Sequence, residues 1–443
     1  MKFIRSLYFN KLFFQVLGVL VVIFIIGFII PAIFVIARVL FLVMVVMVIL
    51  DMLILFNTRK GIFSRRTVGE RLSNGDDNQV TVYIENFYKF DIHALVIDEI
   101  PFQFQKRDLQ FKLTLKKGET RNIIYQLHPV ERGVYAFGLI NVFVRGKIGL
   151  ISRRYKFKHD TEVPVYPSFI QMRKYEMLAF SNHMIESGIK KIRKIGQQME
   201  FDQIKEYVAG DDFRTINWKA TARKRDIMVN SYQDEKAQQV YSLIDKGRTM
   251  KMPFEGMTLL DYAINASLAI SNIAVKKDDK PGLITFQKQI ETFLPAAKRN
   301  KQMMLILEAL YGQKTSFKES DFTNVYSLVR NHIRQRSLLL LFTNFESLSS
   351  LERQMNYLIR LSKFHLLVVV FFKNTELFKV LEEKPKNVQE IFYKTVAEKF
   401  AFEKRMIVKE LNQHGIHSIL TEPQNLTINA INKYLELKAR GLI

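Results

Sequence analysis

The chain has 443 residues, with 66 lysines and arginines against 43 acidic residues, for a net charge of +23. That length accommodates two or three domains, each with its own core. The absence of cysteine excludes disulfides, thiolate metal sites and a cysteine nucleophile, while the basic balance points to an anionic membrane face, an acidic partner or nucleic acid.

Residues 12–56 predict a transmembrane helical hairpin. Leu12 to Ile30 carries no charge, Pro31 interrupts, and Ala32 to Phe56 contains only Arg38 and Asp51 as charges. Each block is about long enough to cross a bilayer. Their length and repetition argue against a cleaved signal peptide. Lys2, Arg5 and Lys11 precede the first span, and Arg59, Lys60, Arg65, Arg66 and Arg71 follow the second. Both ends are therefore expected in the cytoplasm, giving an inner-membrane protein with two spans, cytoplasmic soluble domains and anionic lipid of the inner leaflet as a partner. Asp51 is expected to reach water or an inner arginine.

From residue 67 to 165 the period is two. Val80, Val82 and Ile84 alternate with Thr81, Tyr83 and Glu85, while Phe111, Leu113 and Leu115 alternate with Lys112, Thr114 and Lys116. Glycines 118, 133, 138 and 146 punctuate the runs, which predicts an antiparallel β-sandwich. Residues 166–237 read as a basic connector, with Lys190, Lys191, Arg193 and Lys194 in a solvated loop.

Residues 238–443 predict a doubly wound α/β domain. Short apolar runs at 239–245, 282–286, 337–342, 365–372 and 416–420 alternate with helical patterns. Runs such as LLLLF and LLVVVFF suit strands buried on both faces. Thr258 and Asp261 form a helix-start signature.

Ligands of open parallel sheets bind beyond the carboxyl ends of the strands. Asp245 and Thr249 lie at one such end, and Asn344 follows Thr343 at another. With Thr323 as the third-loop ligand, these oxygens outline a site for Mg²⁺, a hard cation. It resembles the von Willebrand A-type metal site in degraded form: Gly247 stands for its first serine and Asn344 for its second aspartate. Each departure weakens cation binding.

A charged knot precedes this domain: Gly210, Asp211, Asp212, Phe213 and Arg214, then Asn217, Trp218, Lys219 and Arg223. Adjacent carboxylates suit metal or acid–base work, and Arg214 or Lys219 suits an anion. No accompanying base, nucleophile or complete metal set is present, so a structural or partner-binding role is favoured. In the structural version Asp211 or Asp212 pairs with Arg214 or Arg223, and Trp218 is buried as an interdomain wedge. Gly312-Gln313-Lys314-Thr315 lacks the first glycine of a phosphate loop. The basic charge lacks a basic–aromatic stacking motif, so no specific nucleic-acid partner is expected.

These segments resemble domain-of-unknown-function family fifty-eight, the von Willebrand A-like membrane proteins associated with MoxR-type AAA+ ATPases. The likeness rests on Glu131-Arg132-Gly133-Val134-Tyr135, Val163-Pro164-Val165-Tyr166-Pro167, Tyr207 through Arg214, Asn217 through Arg223, Asp245 through Met250, and Asn432 through Gly441. The resemblance implies a two-helix anchor, a β-domain and a von Willebrand A-like domain. It also implies work beside a MoxR-type ATPase and other membrane-complex proteins, in envelope biogenesis or complex maturation. The expected function is that of a non-enzymatic adaptor or scaffold without a cofactor. The alternative is a divalent-metal-dependent hydrolase using Asp211, Asp212 and Asp245.

Overall fold

The computed structural model describes residues 4–106, 109–158, 161–180, 200–209, 211–233, 237–299, 301–315, 317–375, 377, 381, 385 and 387–442. They divide into two units, Met1–Tyr166 and Pro167–Ile443.

The first unit opens with a short strand, β1 (Leu7–Phe9), then α1 (Lys11–Ile29) and α2 (Pro31–Phe56). Both helices are long and apolar enough to cross a membrane, with mean hydropathy of 3.0 and 3.2. Gly27 permits their close approach, because a Cβ there would sit 2.9 Å from the Phe34 backbone. Arg38 lies over the Phe34 ring at 4.6 Å.

Ten strands follow: β2 (Ile62–Thr67), β3 (Leu72–Ser73), β4 (Asn78–Asn86), β5 (Ile92–Asp98), β6 (Gln110–Leu115), β7 (Thr120–Leu127), β8 (Gly133–Phe137), β9 (Ile140–Arg145), β10 (Ile151–Phe157) and β11 (Thr161–Tyr166). They form sheets in the orders β1-β10-β9-β5-β6, β2-β4-β7 and β3-β11-β8. Every pair is antiparallel except β3 with β11. The alternation read from β4 holds, since Val80, Val82 and Ile84 are all fully buried in one core shared by the sheets.

The hairpin is built into this unit. Leu7–Phe9 pairs with β10, and Asn10 bonds Leu150 O through its backbone N at 3.0 Å and Gly149 O through its amide at 2.9 Å. At the far end of α2, Leu55 O accepts from Tyr88 Oη at 2.9 Å and Arg153 Nη1 at 2.8 Å. Such donors satisfy helix-end carbonyls that lack partners within the helix. Asp51, expected to face water or an arginine, is fully buried and accepts from Ile151 N at 3.0 Å. Arg66 differs too. It was counted among the charges flanking the span, yet it is 5% exposed and clasps Asp98 inside the β-domain.

The second unit begins with α3 (Phe169–Phe180), β12 (Glu200–Glu206), α4 (Trp218–Lys224) and β13 (Met228–Gln233). The expected connector is thus partly structured. α3 packs on a later helix: Glu176 accepts from Asn272 Nδ2 at 2.7 Å, and this bond holds its carboxyl below the usual value. The cluster at 190–194 lies outside the described residues.

The main sheet comprises β14 (Gln239–Asp245), β17 (Lys280–Phe286), β18 (Ile290–Leu294), β19 (Leu338–Phe342), β20 (Leu366–Phe372) and β21 (His417–Thr421); a small hairpin, β15 (Pro253–Phe254) and β16 (Met257–Thr258), stands apart. Its order is β18-β17-β14-β19-β20-β21, parallel except for the edge strand β18, which the sequence patterns did not reveal. Helices α5 (Leu259–Lys276), α6 (Gln302–Tyr311), α7 (Phe322–His332), α8 (Leu348–Phe364), Val388–Gln413 and Leu426–Ala439 cover it. Along β14, Val240 and Ile244 enter one core while Tyr241 and Leu243 enter another. Both faces are therefore dry, as uninterrupted apolar strands require. Thr258 caps α5 in a reciprocal box with Asp261. The closing helix is fixed by Tyr434 and Lys438, which both donate to buried Asp279.

Candidate functional site

The strand order places β14 between β17 and β19, with later strands continuing outward from β19. The chain runs from β14 to β17 and β18 on one side and then crosses to β19 on the other, which makes the β14–β19 boundary the switch point where open sheets keep their ligand crevice. Asp245 ends β14, and Thr343 and Asn344 follow β19. The two sequence-marked ends therefore meet.

Asp245 is 2% exposed. Its Oδ1 accepts from Gly247 N at 2.8 Å and from Ser320 Oγ, and its Oδ2 accepts from Thr343 Oγ1 at 2.7 Å. Burial pushes its carboxyl pKa up, against the opposing pull of those three donors. Asp245, Thr249, Ser320, Thr343 and Asn344 all line a cavity of roughly 180 Å³.

Thr323, the expected third-loop oxygen, lies elsewhere. It is exposed in the first turn of α7, where its backbone N donates to Asp321 Oδ1 at 2.8 Å. Ser320 takes its place beside the carboxylate. Only the loop's position ahead of the Asp321 cap could have signalled this, because a single hydroxyl has no periodic pattern.

Gly247 is explained by the same serine. A Cβ at this position would fall on Ser320 Oγ and lie 3.3 Å from Lys318 O. Gly247→Ser is therefore expected to destabilise the second unit by about 1–3 kcal/mol through overpacking. Adding Ser320→Ala should return part of that loss, read as the thermal midpoint of the double variant against each single one.

Asn344 is 6% exposed, and its Oδ1 accepts from Lys404 Nζ at 2.7 Å. A hard cation wants several oxygens with open lone pairs and net negative charge. Of the four expected ligands the only carboxylate, Asp245, already accepts three bonds, and an ammonium holds the Asn344 amide oxygen. These residues do not fit the Mg²⁺ site that the resemblance implies. Among the described residues, no group of three or more His, Cys, Asp or Glu is placed to hold a metal.

The charged knot forms a lobe made of β12, β13 and α4, outside the large apolar cores. Asp211 pairs with Lys205 at 2.9 Å and caps Val208 N at 3.1 Å. Lys205 first, and then that backbone bond, hold its carboxyl below the usual value. Asp212 caps Arg214 N at 3.0 Å. Asn217 caps α4 through Ala220 N at 3.0 Å and donates to Asn230 Oδ1 at 2.9 Å. Asp211 thus pairs with Lys205, where Arg214 or Arg223 had been expected. Trp218 is no buried wedge: it is 72% exposed, and Phe213 is 69% exposed. Lys219 and Arg223 also face solvent. Gly210 lies outside the described residues. Neither Asp211 nor Asp212 lines the Asp245 cavity.

The family model "Protein of unknown function DUF58" matches residues 203–377, a span running from the lobe through the Asp245 cavity. "Uncharacterized protein YeaD" of Bacillus subtilis (strain 168) is 26% identical over 205 residues, 44% of this chain and 50% of that protein. The chain thus spans about half the length of the curated relative it matches. Among solved structures, the conserved hypothetical protein BatB from Bacteroides thetaiotaomicron aligns over 46% of this chain and 100% of its own, at 12% identity and a TM-score of 0.31. The CARDB domain of a Pyrococcus furiosus protein aligns over 24% of this chain and 86% of its own, at 14% identity and a TM-score of 0.18.

Proposed function

We propose that the chain is a membrane-anchored, non-enzymatic adaptor that presents its second unit to a MoxR-type AAA+ ATPase. The hairpin of α1 and α2 would be the anchor, with both chain ends in the cytoplasm as the flanking arginines and lysines favour. The α/β domain is read as von Willebrand A-like, with its carboxyl edge turned to docking.

One observation carries the reading: Phe213 and Trp218 stand in solvent on a lobe where Asp211 and Asp212 are committed to local caps and one ion pair. Exposed aromatics of this size mark docking surfaces more often than catalytic ones. The hydrolase alternative needs Asp211, Asp212 and Asp245 to act together, and no feature of the site favours it.

The test is a pull-down of the detergent-solubilised full chain from its native membranes under ATP-bound conditions. An AAA+ ATPase should be recovered, and Trp218→Ala should weaken that recovery about thirtyfold or more, the loss expected of a central aromatic anchor. Recovery of no such ATPase, or substrate turnover by the purified chain alone, refutes the reading.

A further inference from the structure

A second cavity, roughly 320 Å³, opens beside the Asp245 site. Its walls are mostly apolar, with Met252, Phe254, Leu259, Phe372 and Phe400. Its polar groups are Lys404, Lys373, Glu346, Asn344 and Asn374. The volume falls within the range of small-molecule sites, about 300–1,000 Å³, and so does the pattern of many apolar groups around few polar ones. The cavity also lies past the carboxyl ends of β19 and β20, where such sheets place ligands.

Lys404 is the informative residue. An ammonium has three donors; two go to Asn344 Oδ1 at 2.7 Å and Phe345 O at 2.5 Å. Both acceptors are neutral. Glu346 also lines the cavity and pulls electrostatically on Lys404, yet among the described residues the ammonium bonds to Asn344 and Phe345 and forms no ion pair with Glu346. A largely enclosed cation without a bonded counter-charge is costly. Accordingly, burial pushes the Lys404 amine down to about 8. An entering anion would supply the missing charge and accept the third hydrogen bond.

We propose that this cavity binds an aliphatic monocarboxylate, with the chain between Phe254, Phe372 and Phe400 and the carboxylate on Lys404 Nζ. The site lies on the carboxyl edge that the docking reading also uses, but it is tested by ligand binding to the purified chain, whereas that reading is tested through Trp218 on the separate lobe.

The full chain in zwitterionic lipid nanodiscs would be titrated with octanoate and, separately, with octan-1-ol, against empty nanodiscs as blank. Octanoate should bind saturably and at least tenfold more tightly than the alcohol, the scale of one charge-assisted hydrogen bond. Lys404→Met should erase that preference while leaving the thermal midpoint close to the parent's. Ala401→Trp, which fills the cavity from the same helix, should abolish binding of both probes. No saturable octanoate binding above the blank would overturn the assignment. So would an undiminished preference in Lys404→Met, or, if that variant does not fold, unchanged binding in Ala401→Trp.

Discussion

Arg66→Met is expected to destabilise the β-domain by about 3–5 kcal/mol, more than the removal of the whole ion pair together with its tyrosine. Arg66 lies on β2 and Asp98 ends β5, so the pair joins two sheets. Its guanidinium meets both carboxylate oxygens, donates to Gly138 O at 2.9 Å and lies 4.9 Å from the centre of the Phe137 ring. Tyr125 Oη adds a third donor to Asp98 at 2.5 Å. Burial, with Asp98 beside it, raises that phenol well above its usual pKa. Truncating Arg66 alone strands a carboxylate in a dry core. Replacing all three in Arg66→Met/Asp98→Leu/Tyr125→Phe removes donors and acceptors together, leaving chiefly Gly138 O to find a partner. The triple variant should therefore lose less than Arg66→Met, measured by chemical denaturation of the full chain in detergent. A triple variant less stable than the single one would show that the pair contributes net stability beyond its burial cost.

That pair also shows where sequence reading stops. Periodicity reports which residues a local element buries, and it served well for β4 and for the apolar runs of the main sheet. The Thr258–Asp261 box was legible because both partners lie within one turn. Arg66 was counted as a flanking charge because its partner is 32 residues away on another sheet. β1 was hidden for the same reason: three residues before an apolar helix gain their meaning only from β10. The switch-point site was half legible. Asp245 and Asn344 stand out at the ends of apolar strands, whereas Ser320 and Lys404 come from a loop and a helix with nothing in their local pattern to aim them there. Trp218 misled in the opposite direction, since a lone tryptophan in a charged knot suggests burial and this one is exposed.

The contribution of Asp245 to the stability of its unit should depend on pH in the sense opposite to ordinary acid denaturation. Burial places the folded pKa of Asp245 above 3.8, the ordinary value of an aspartate. Between those two values the folded state binds more protons than the unfolded chain, so this group's contribution falls as pH rises through that window. Above the folded pKa the penalty is complete; below the unfolded value it is gone. Acidification from neutral pH should thus recover stability at Asp245, with a slope of at most about 1.4 kcal/mol per pH unit. Glu176, whose carboxyl is held low, works the other way and loses stability as the solution becomes acidic. The two separate in a difference curve between the parent and Asp245→Asn, which keeps an acceptor for Thr343 or Ser320 but carries no proton to exchange. The parent should gain on the variant as pH is lowered. Asp245→Ala should cost about 2–4 kcal/mol at neutral pH and more as the pH is lowered, because it leaves two hydroxyls and the Gly247 N–H in a dry site without their acceptor. A flat difference curve would mean that those three donors balance the burial penalty, and one that rises with pH would mean that they outweigh it; either result overturns the raised pKa.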